Sequence, residues 1–536
     1  MKQSKLKDAL FADKSGKGKG PFINKVMKRA FRSEELTSSR RPDGSLAVTV
    51  DEVDEVVHGH FSHHFASKVS LKERWGTREA LMGLSTDSMP SRYAKMVQES
   101  YSAVSEGIGR AARGGQWWAS ADVTIAGGGV LQGAKALGKG KASGQSHVTA
   151  DMVVRLDAAG LSVLAQVFEG WRVAGPVPDV LNTALIRLLP KTSQGLADLA
   201  RCRPVTLMEH LTRIYEHIVI GRVTAIVFEH GMLHPSQYGA VSFTGVHAPL
   251  RVLAEALEDS MQTGKPLHAY TTDLSKAFDT EPFWSQELSW RCPGMPEHLI
   301  QVMVNLDSGC RSLEELAESE DTGKTPGERG AEVRGATTRV ILGHGRNSSP
   351  FEMQRGVRQG SVGGPLKWIV FMNFLLVWVH SQLEGKGYRF TGASGQPTIA
   401  EYLDRVKMRG SEEARGGEGA PELLGQMFID DSIWATSDPK AMQELVVMVE
   451  EFCSFHGLKL NRDKCAYFAL NTEAADLRWK ADVEDGEGRG ETFSSTGTNK
   501  GGGPPGARPD DRVLKYLGVW FETTRGWSLQ RAPGVG

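Results

Sequence analysis

Residues 425–436 read Gly425-Gln426-Met427-Phe428-Ile429-Asp430-Asp431-Ser432-Ile433-Trp434-Ala435-Thr436. Two short apolar runs flank a pair of acids, a pattern that predicts a β-hairpin with two carboxylates at its tip. A helix is expected next. Ser437 or Asp438 can cap it, Pro439 suits its first turn, Gly457 can end it, and Met442, Leu445, Val449 and Phe452 line one face. Upstream, His268-Ala-Tyr-Thr-Thr-Asp273 alternates poorly but is short and β-prone, so it reads as a strand ending on a third carboxylate.

If those two strands are neighbours in one sheet, Asp273, Asp430 and Asp431 converge. Converging carboxylates repel unless a cation neutralises them. Hard oxygen donors open to phosphate select Mg²⁺. Two such ions can activate an attacking hydroxyl and stabilise a leaving oxygen in an in-line displacement. An isolated Asp-Asp pair is by itself an ordinary turn. Its weight comes from what else the chain carries, and in what order.

At 536 residues there is room for about three compact units, and 40% hydrophobic content can fill a sizeable core. Lys plus Arg is 63 against 64 for Asp plus Glu, so any nucleic-acid surface must be a local patch. The five cysteines are odd in number and lack CxxC spacing, which argues against a disulfide framework or zinc site and fits a reducing, intracellular compartment. No apolar signal segment opens the chain. The longest apolar run, Trp368–Val379, is too short for a membrane span of about 20 residues and reads as a buried helix.

The first 45 residues are rich in Lys and Arg and read as a disordered tail, a phosphate-binding arm or a nuclear-import signal. Segments 126–145, 316–336, 409–420 and 483–512, dominated by Gly, Glu, Ser and Pro, read as loops or inserts. Between Asp151 and Leu189 helices precede a strand in NTALIRLLP, and Val205–His230 reads as helix from Leu207, Leu211, Ile214 and Ile218. Alternating helices and strands point to a mixed α/β or α+β architecture.

Taken in order, these elements resemble reverse transcriptases, most closely those of LINE-type (non-long-terminal-repeat) retrotransposons. LIRLLPK ending at Lys191 and Arg203-Pro204-Val-Thr-Leu resemble the two finger motifs. Pro235-Ser-Gln237-Tyr-Gly239 resembles the stretch that follows them. Asp273-Leu-Ser-Lys-Ala-Phe-Asp279 resembles the first palm motif, Gly356-Val-Arg-Gln359-Gly360-Ser the second and Phe428-Ile-Asp430-Asp431 the third. Gly457-Leu-Lys-Leu-Asn461-Arg-Asp-Lys464 and Lys515-Tyr-Leu-Gly518-Val resemble the last two.

The resemblance implies roles. Asp273, Asp430 and Asp431 would hold two Mg²⁺ (or Mn²⁺) ions, joined by the Leu274 carbonyl. Phe278 would lie beneath the incoming sugar and collide with a ribose 2′-hydroxyl. Lys191 and Arg203 would neutralise the triphosphate. Gln359 and Gly360 would border the nascent base pair and template, Lys464 would meet the departing pyrophosphate, and Tyr516 to Gly518 would support the primer. Plainer readings stand beside these: Phe278 as core, Arg203 as a structural ion pair, Gln359-Gly360 as a turn, Lys464 as a solvated lysine. Asp279 reads as a cap or ion-pair residue and not a ligand. Two departures accompany the match: position 428 is Phe where the family has Tyr, and Ile429 replaces a small residue.

The implied fold is α+β, a right-hand polymerase with palm and fingers subdomains and the thumb largely missing. The expected division is a basic tail to residue 45, an N-terminal extension with a Gly-rich linker over 46–150, fingers over 151–272, palm over 273–470, and an insert with the last palm motif over 471–536. The implied activity is RNA-directed DNA synthesis in the nucleus, with RNA template, DNA primer and deoxynucleotides as partners and no membrane. A decayed or non-catalytic nucleic-acid-binding remnant is the alternative. An RNA-dependent RNA polymerase is a third, disfavoured by Phe278.

Overall fold

The computed structural model describes residues 35–309, 337–391 and 422–472, apart from 143, 175–176, 192–194, 241–244 and 463, and beyond them 477–478, 492–493, 513–517, 519–522 and 530–531. Most of the basic tail, the inserts at 316–336 and 409–420, most of 483–512 and Gly518 lie outside the described residues.

Two compact units divide the chain. One comprises Met1–His60, Ile186–Pro204 and Arg339–Ser349, the other Phe61–Leu185, Val205–Thr338 and Pro350–Gly536. In the first, backbone bonds join stretches remote in sequence: the Arg40 N–H donates to the Ala197 carbonyl at 2.8 Å and the Ile341 N–H to that of Ile186 at 2.9 Å. Lys191 and Arg203 both belong to this unit and both are exposed.

In the second unit, helix α1 (His210–Glu229) precedes α2 (His247–Thr263) and strand β1 (Leu267–Thr272). Helix α3 (Gly364–Gln382), strands β2 (Gly425–Phe428) and β3 (Asp431–Thr436), helix α4 (Pro439–Phe455) and strand β4 (Ala466–Leu470) follow. The strands form one antiparallel sheet in the order β2-β3-β1-β4.

Every residue of β1 is buried, which explains its poor alternation in sequence. Tyr270, Trp434 and Tyr467 face a core built with α3 and α4, whereas Ala269, Ile433 and Phe468 face a second core built with α2. Trp368, Met372, Leu375 and Val379 of α3 are buried, as are Met442, Leu445, Val449 and Phe452 of α4. Asp438 caps α4 through the Lys440 N–H, Pro439 occupies its first turn, and Gly457 follows at φ +65°. Among the described residues no helix is long and apolar enough to cross a membrane.

Two expectations are corrected. The helix expected from Val205 starts at His210, and Cys202–Leu207 is a strand. Val205 and Thr206 are β-branched, and the Thr206 N–H is taken by the Gln359 carbonyl at 2.7 Å, a long-range bond no local pattern reveals. The Gly-rich stretch read as a loop is a helix at Gly127–Ala136. Each glycine disfavours a helix by about 1 kcal/mol, but close packing overrides this. A Cβ at Gly133 would stand 3.2 Å from both the side chain and the carbonyl of Ile214 on α1.

Candidate active site

The acids meet at one end of the sheet because of register. Thr272 lies opposite Ser432, and their hydroxyls are hydrogen-bonded, so Asp273 and Asp431 leave β1 and β3 side by side. Asp431 pairs with Phe428 across the hairpin, which leaves Ile429 and Asp430 as the turn. Lys464 reaches the same end, its Nζ 3.1 Å from Asp273 Oδ2. Burial raises the Asp430 carboxyl from its ordinary value, and the charge of Asp273 adds to this while a backbone hydrogen bond and Lys464 oppose the shift. Asp430 therefore senses both Asp273 and Lys464.

The turn is held from outside. Ile429 sits at φ +63°, a conformation costly for a β-branched residue. Trp368 Nε1 of α3 donates to its carbonyl at 3.2 Å, and Gln237 Oε1 accepts from its N–H at 3.3 Å and from the Gly239 N–H at 3.0 Å. The Pro235–Gly239 stretch covers the edge of β2, with the Tyr238 N–H bonded to the Met427 carbonyl at 2.8 Å and the Met427 N–H to that of Ser236 at 2.9 Å. Gly239 is required here, since a Cβ would lie 2.2 Å from the Ile429 nitrogen.

The backbone beyond Asp273 is anchored as well. Its carbonyl accepts from the Asn461 N–H at 2.8 Å, and Leu274 bridges to Leu460. Phe278 is half-buried with its ring 5.4 Å from that of Trp368, so it is both a core neighbour and partly exposed. Gln359 turns its amide to Asp279, with Nε2 2.7 Å from Oδ1. Gly360 adopts φ +127° against the Thr206 carbonyl, a close approach made to the protein's own strand. Tyr516 is buried in the core built with α2, and burial, then the charge of Asp431, pushes its phenol well above the ordinary range.

The structure thus gathers Asp273, Asp430, Asp431 and Lys464 at one sheet end, with Phe278 packed on the tryptophan that holds the turn, whereas Tyr516 lies in the α2-side core. Lys191 and Arg203 lie in the other unit. Among the described residues no three His, Cys, Asp or Glu side chains form a ready metal-holding cluster. Sequence reading also missed contributors. Glu216 of α1 is buried and accepts from the Val362 and Gly363 N–H groups at 3.0 and 3.1 Å, capping α3 against its positive end. His64 reaches Asp279. Gln237 was visible only as part of a motif.

A profile of the family described as "Reverse transcriptase (RNA-dependent DNA polymerase)" matches residues 189–521. The chain belongs to the reverse transcriptase family. The match spans every element of the sheet just described, and it indicates RNA-directed DNA polymerase activity. A reverse transcriptase domain implies a nucleic-acid template and nucleotide substrates. Reverse transcriptases generally use divalent metals, and the acids of this sheet end are the oxygen donors such ions favour.

Proposed function

We propose that this reverse transcriptase is of the LINE-type, non-long-terminal-repeat kind, with residues 273–470 as its palm and Asp273, Asp430 and Asp431 as the ligands of two Mg²⁺ ions. The observation that supports the reading is the register of β1 against β3, which brings Asp273 beside Asp431, with Asp430 in the adjoining turn. The order of the motifs from LIRLLPK to Lys515-Tyr-Leu supports the subtype. The donors are of the type hard cations favour, carboxylate oxygens, and would have to draw together around the ions. When bound, the ions would neutralise phosphate charge and activate the primer hydroxyl.

The chain's own residues then position and select. Phe278 presents a ring where a ribose 2′-hydroxyl would have to sit, which favours deoxynucleotides. Lys464 is well exposed and pairs with Asp273 through a flexible stem, so it can turn toward the departing pyrophosphate. Gln359 borders the nascent base pair.

Primer extension on an RNA template with Mg²⁺ and deoxynucleotides tests this. The protein incorporates label, and Asp430→Ala abolishes incorporation. Replacing Phe278 with Val should admit ribonucleotides and lower the preference for deoxynucleotides by about tenfold or more. A second reading, a nucleic-acid-binding scaffold without catalysis, draws on the lack of a ready-made metal cluster among the described residues. Salt-sensitive RNA binding by folded protein with no incorporation would favour it.

A further inference from the structure

A buried polar cluster around Asp279 takes no part in the chemistry above. We infer that His64 is a positioning residue that orients Gln359 through Asp279 and thereby tunes nucleotide selection, an inference that rests on Gln359 bordering the nascent base pair. Asp279 Oδ1 accepts from Gln359 Nε2 at 2.7 Å, and Asp279 Oδ2 faces His64 Nε2 at 3.1 Å. On the other side of the ring, Lys276 Nζ lies 3.1 Å from His64 Nδ1. An ammonium group only donates and a carboxylate only accepts, so the ring must accept at Nδ1 and donate from Nε2. One neutral tautomer satisfies both neighbours. Burial acts in the same direction, lowering the affinity of the ring for a second proton. The result is a directed chain in which Lys276 donates to His64, His64 to Asp279, and Gln359 to the same carboxylate.

The geometry around this chain makes it rigid. The side chains of His64 and Asp279 are only 8% and 4% exposed, so water competes little for their bond. Arg355 Nη2 holds the His64 carbonyl at 2.8 Å, and the Val357 N–H holds the Phe278 carbonyl at 2.6 Å. Gly356, at φ +92°, lies so close that a Cβ would stand 2.9 Å from the Asp279 backbone. The 277–279 turn and the 355–359 segment are therefore fastened together, and His64 comes to them from a helix more than 200 positions earlier (its separation from Asp279 is 215). With one carboxylate oxygen held by His64, the other stays aimed at Gln359. Without that hold, the carboxylate can rotate and the Gln359 amide loses its fixed plane.

Two His64 variants, read beside Gln359→Ala, test this. His64→Phe keeps an aromatic ring beside Phe61 and Phe65 but removes the donor; His64→Gln can place an amide N–H where Nε2 stood. In hydrogen-exchange mass spectrometry of the full chain, His64→Phe should exchange faster over residues 354–361 and His64→Gln should resemble the parent. In primer extension, His64→Phe should raise the KM for deoxynucleotides about tenfold, the size of one lost charge-assisted bond, with kcat little changed. His64→Gln should recover most of that, and His64→Phe should add little to Gln359→Ala. Unchanged exchange at 354–361 overturns the proposal whether or not the protein polymerises. Additive effects of His64→Phe and Gln359→Ala also overturn it. A normal KM in Gln359→Ala would instead sink the reading of Gln359 itself, and the selection role with it.

Discussion

At the scale of single residues, two positions hold backbone conformations rarely open to L side chains, one in the turn that carries Asp430 and one after Gln359. Ile429 is held at φ +63° by Trp368 on its carbonyl and Gln237 on its N–H, so the turn that carries Asp430 is set by residues from two other segments. Gly360 is the second case. Its φ is +127°, and a Cβ there would stand 2.5 Å from the Thr206 carbonyl oxygen, which leaves no room for a side chain. Gly360→Ala should cost roughly 1–3 kcal/mol in denaturant unfolding, from strain and displacement together. A midpoint equal to that of the parent would show that this loop relaxes freely.

At the scale of elements, the end of α4 hides a pH-sensitive support. His456 is buried among Trp284, Phe371, Phe452 and Phe455. Its Nδ1 donates to the Phe452 carbonyl at 2.8 Å, leaving Nε2 to accept from the Tyr101 hydroxyl at 2.8 Å. Burial lowers its pKa from 6.5 to about 3. The unfolded chain therefore takes up a proton that the folded chain refuses. The associated stability is complete above pH 6.5 and declines as pH falls toward 3. His456→Gln should flatten the loss of stability between these limits relative to the parent. The comparison is needed because Glu281 and Asp430, whose carboxyls are raised mainly by burial, act in the opposite sense. Identical pH–stability curves for variant and parent would remove His456 from the account.

At the scale of the whole sheet-bearing unit, α3 carries a charge into the core. Lys367 Nζ pairs with Asp307 Oδ2 at 2.6 Å and donates to the Met303 carbonyl at 2.7 Å, with both side chains fully buried. Asp307 also accepts from the Arg358 N–H at 3.1 Å, which ties the segment before Gln359 to the same pair. Removing one partner strands a buried charge. Lys367→Met should cost about 3–5 kcal/mol, whereas pairing it with Asp307→Asn should restore part of the loss. Urea unfolding of the single and double variants decides this; an unchanged midpoint in Lys367→Met would mean the pair contributes nothing to holding α3.

Local chemistry alone determined the hairpin at 425–436, the Asp438 cap and Pro439 start of α4, the apolar faces of α3 and α4, and the placing of Asp273, Asp430 and Asp431 at strand ends. These features depend on turn residues and periodicity within a dozen positions, and the ordered motifs carried the family. Tertiary structure alone decided the rest. Packing against Ile214 made a helix of glycines, and pairing beside Ala184–Pro190 in a sheet made a strand of Cys202–Leu207 where helical spacing was written. Burial on both faces erased the alternation of β1. His64, Glu216 and Gln237 found their partners only on folding, because each contact joins segments more than 100 positions apart and no local pattern encodes such pairings.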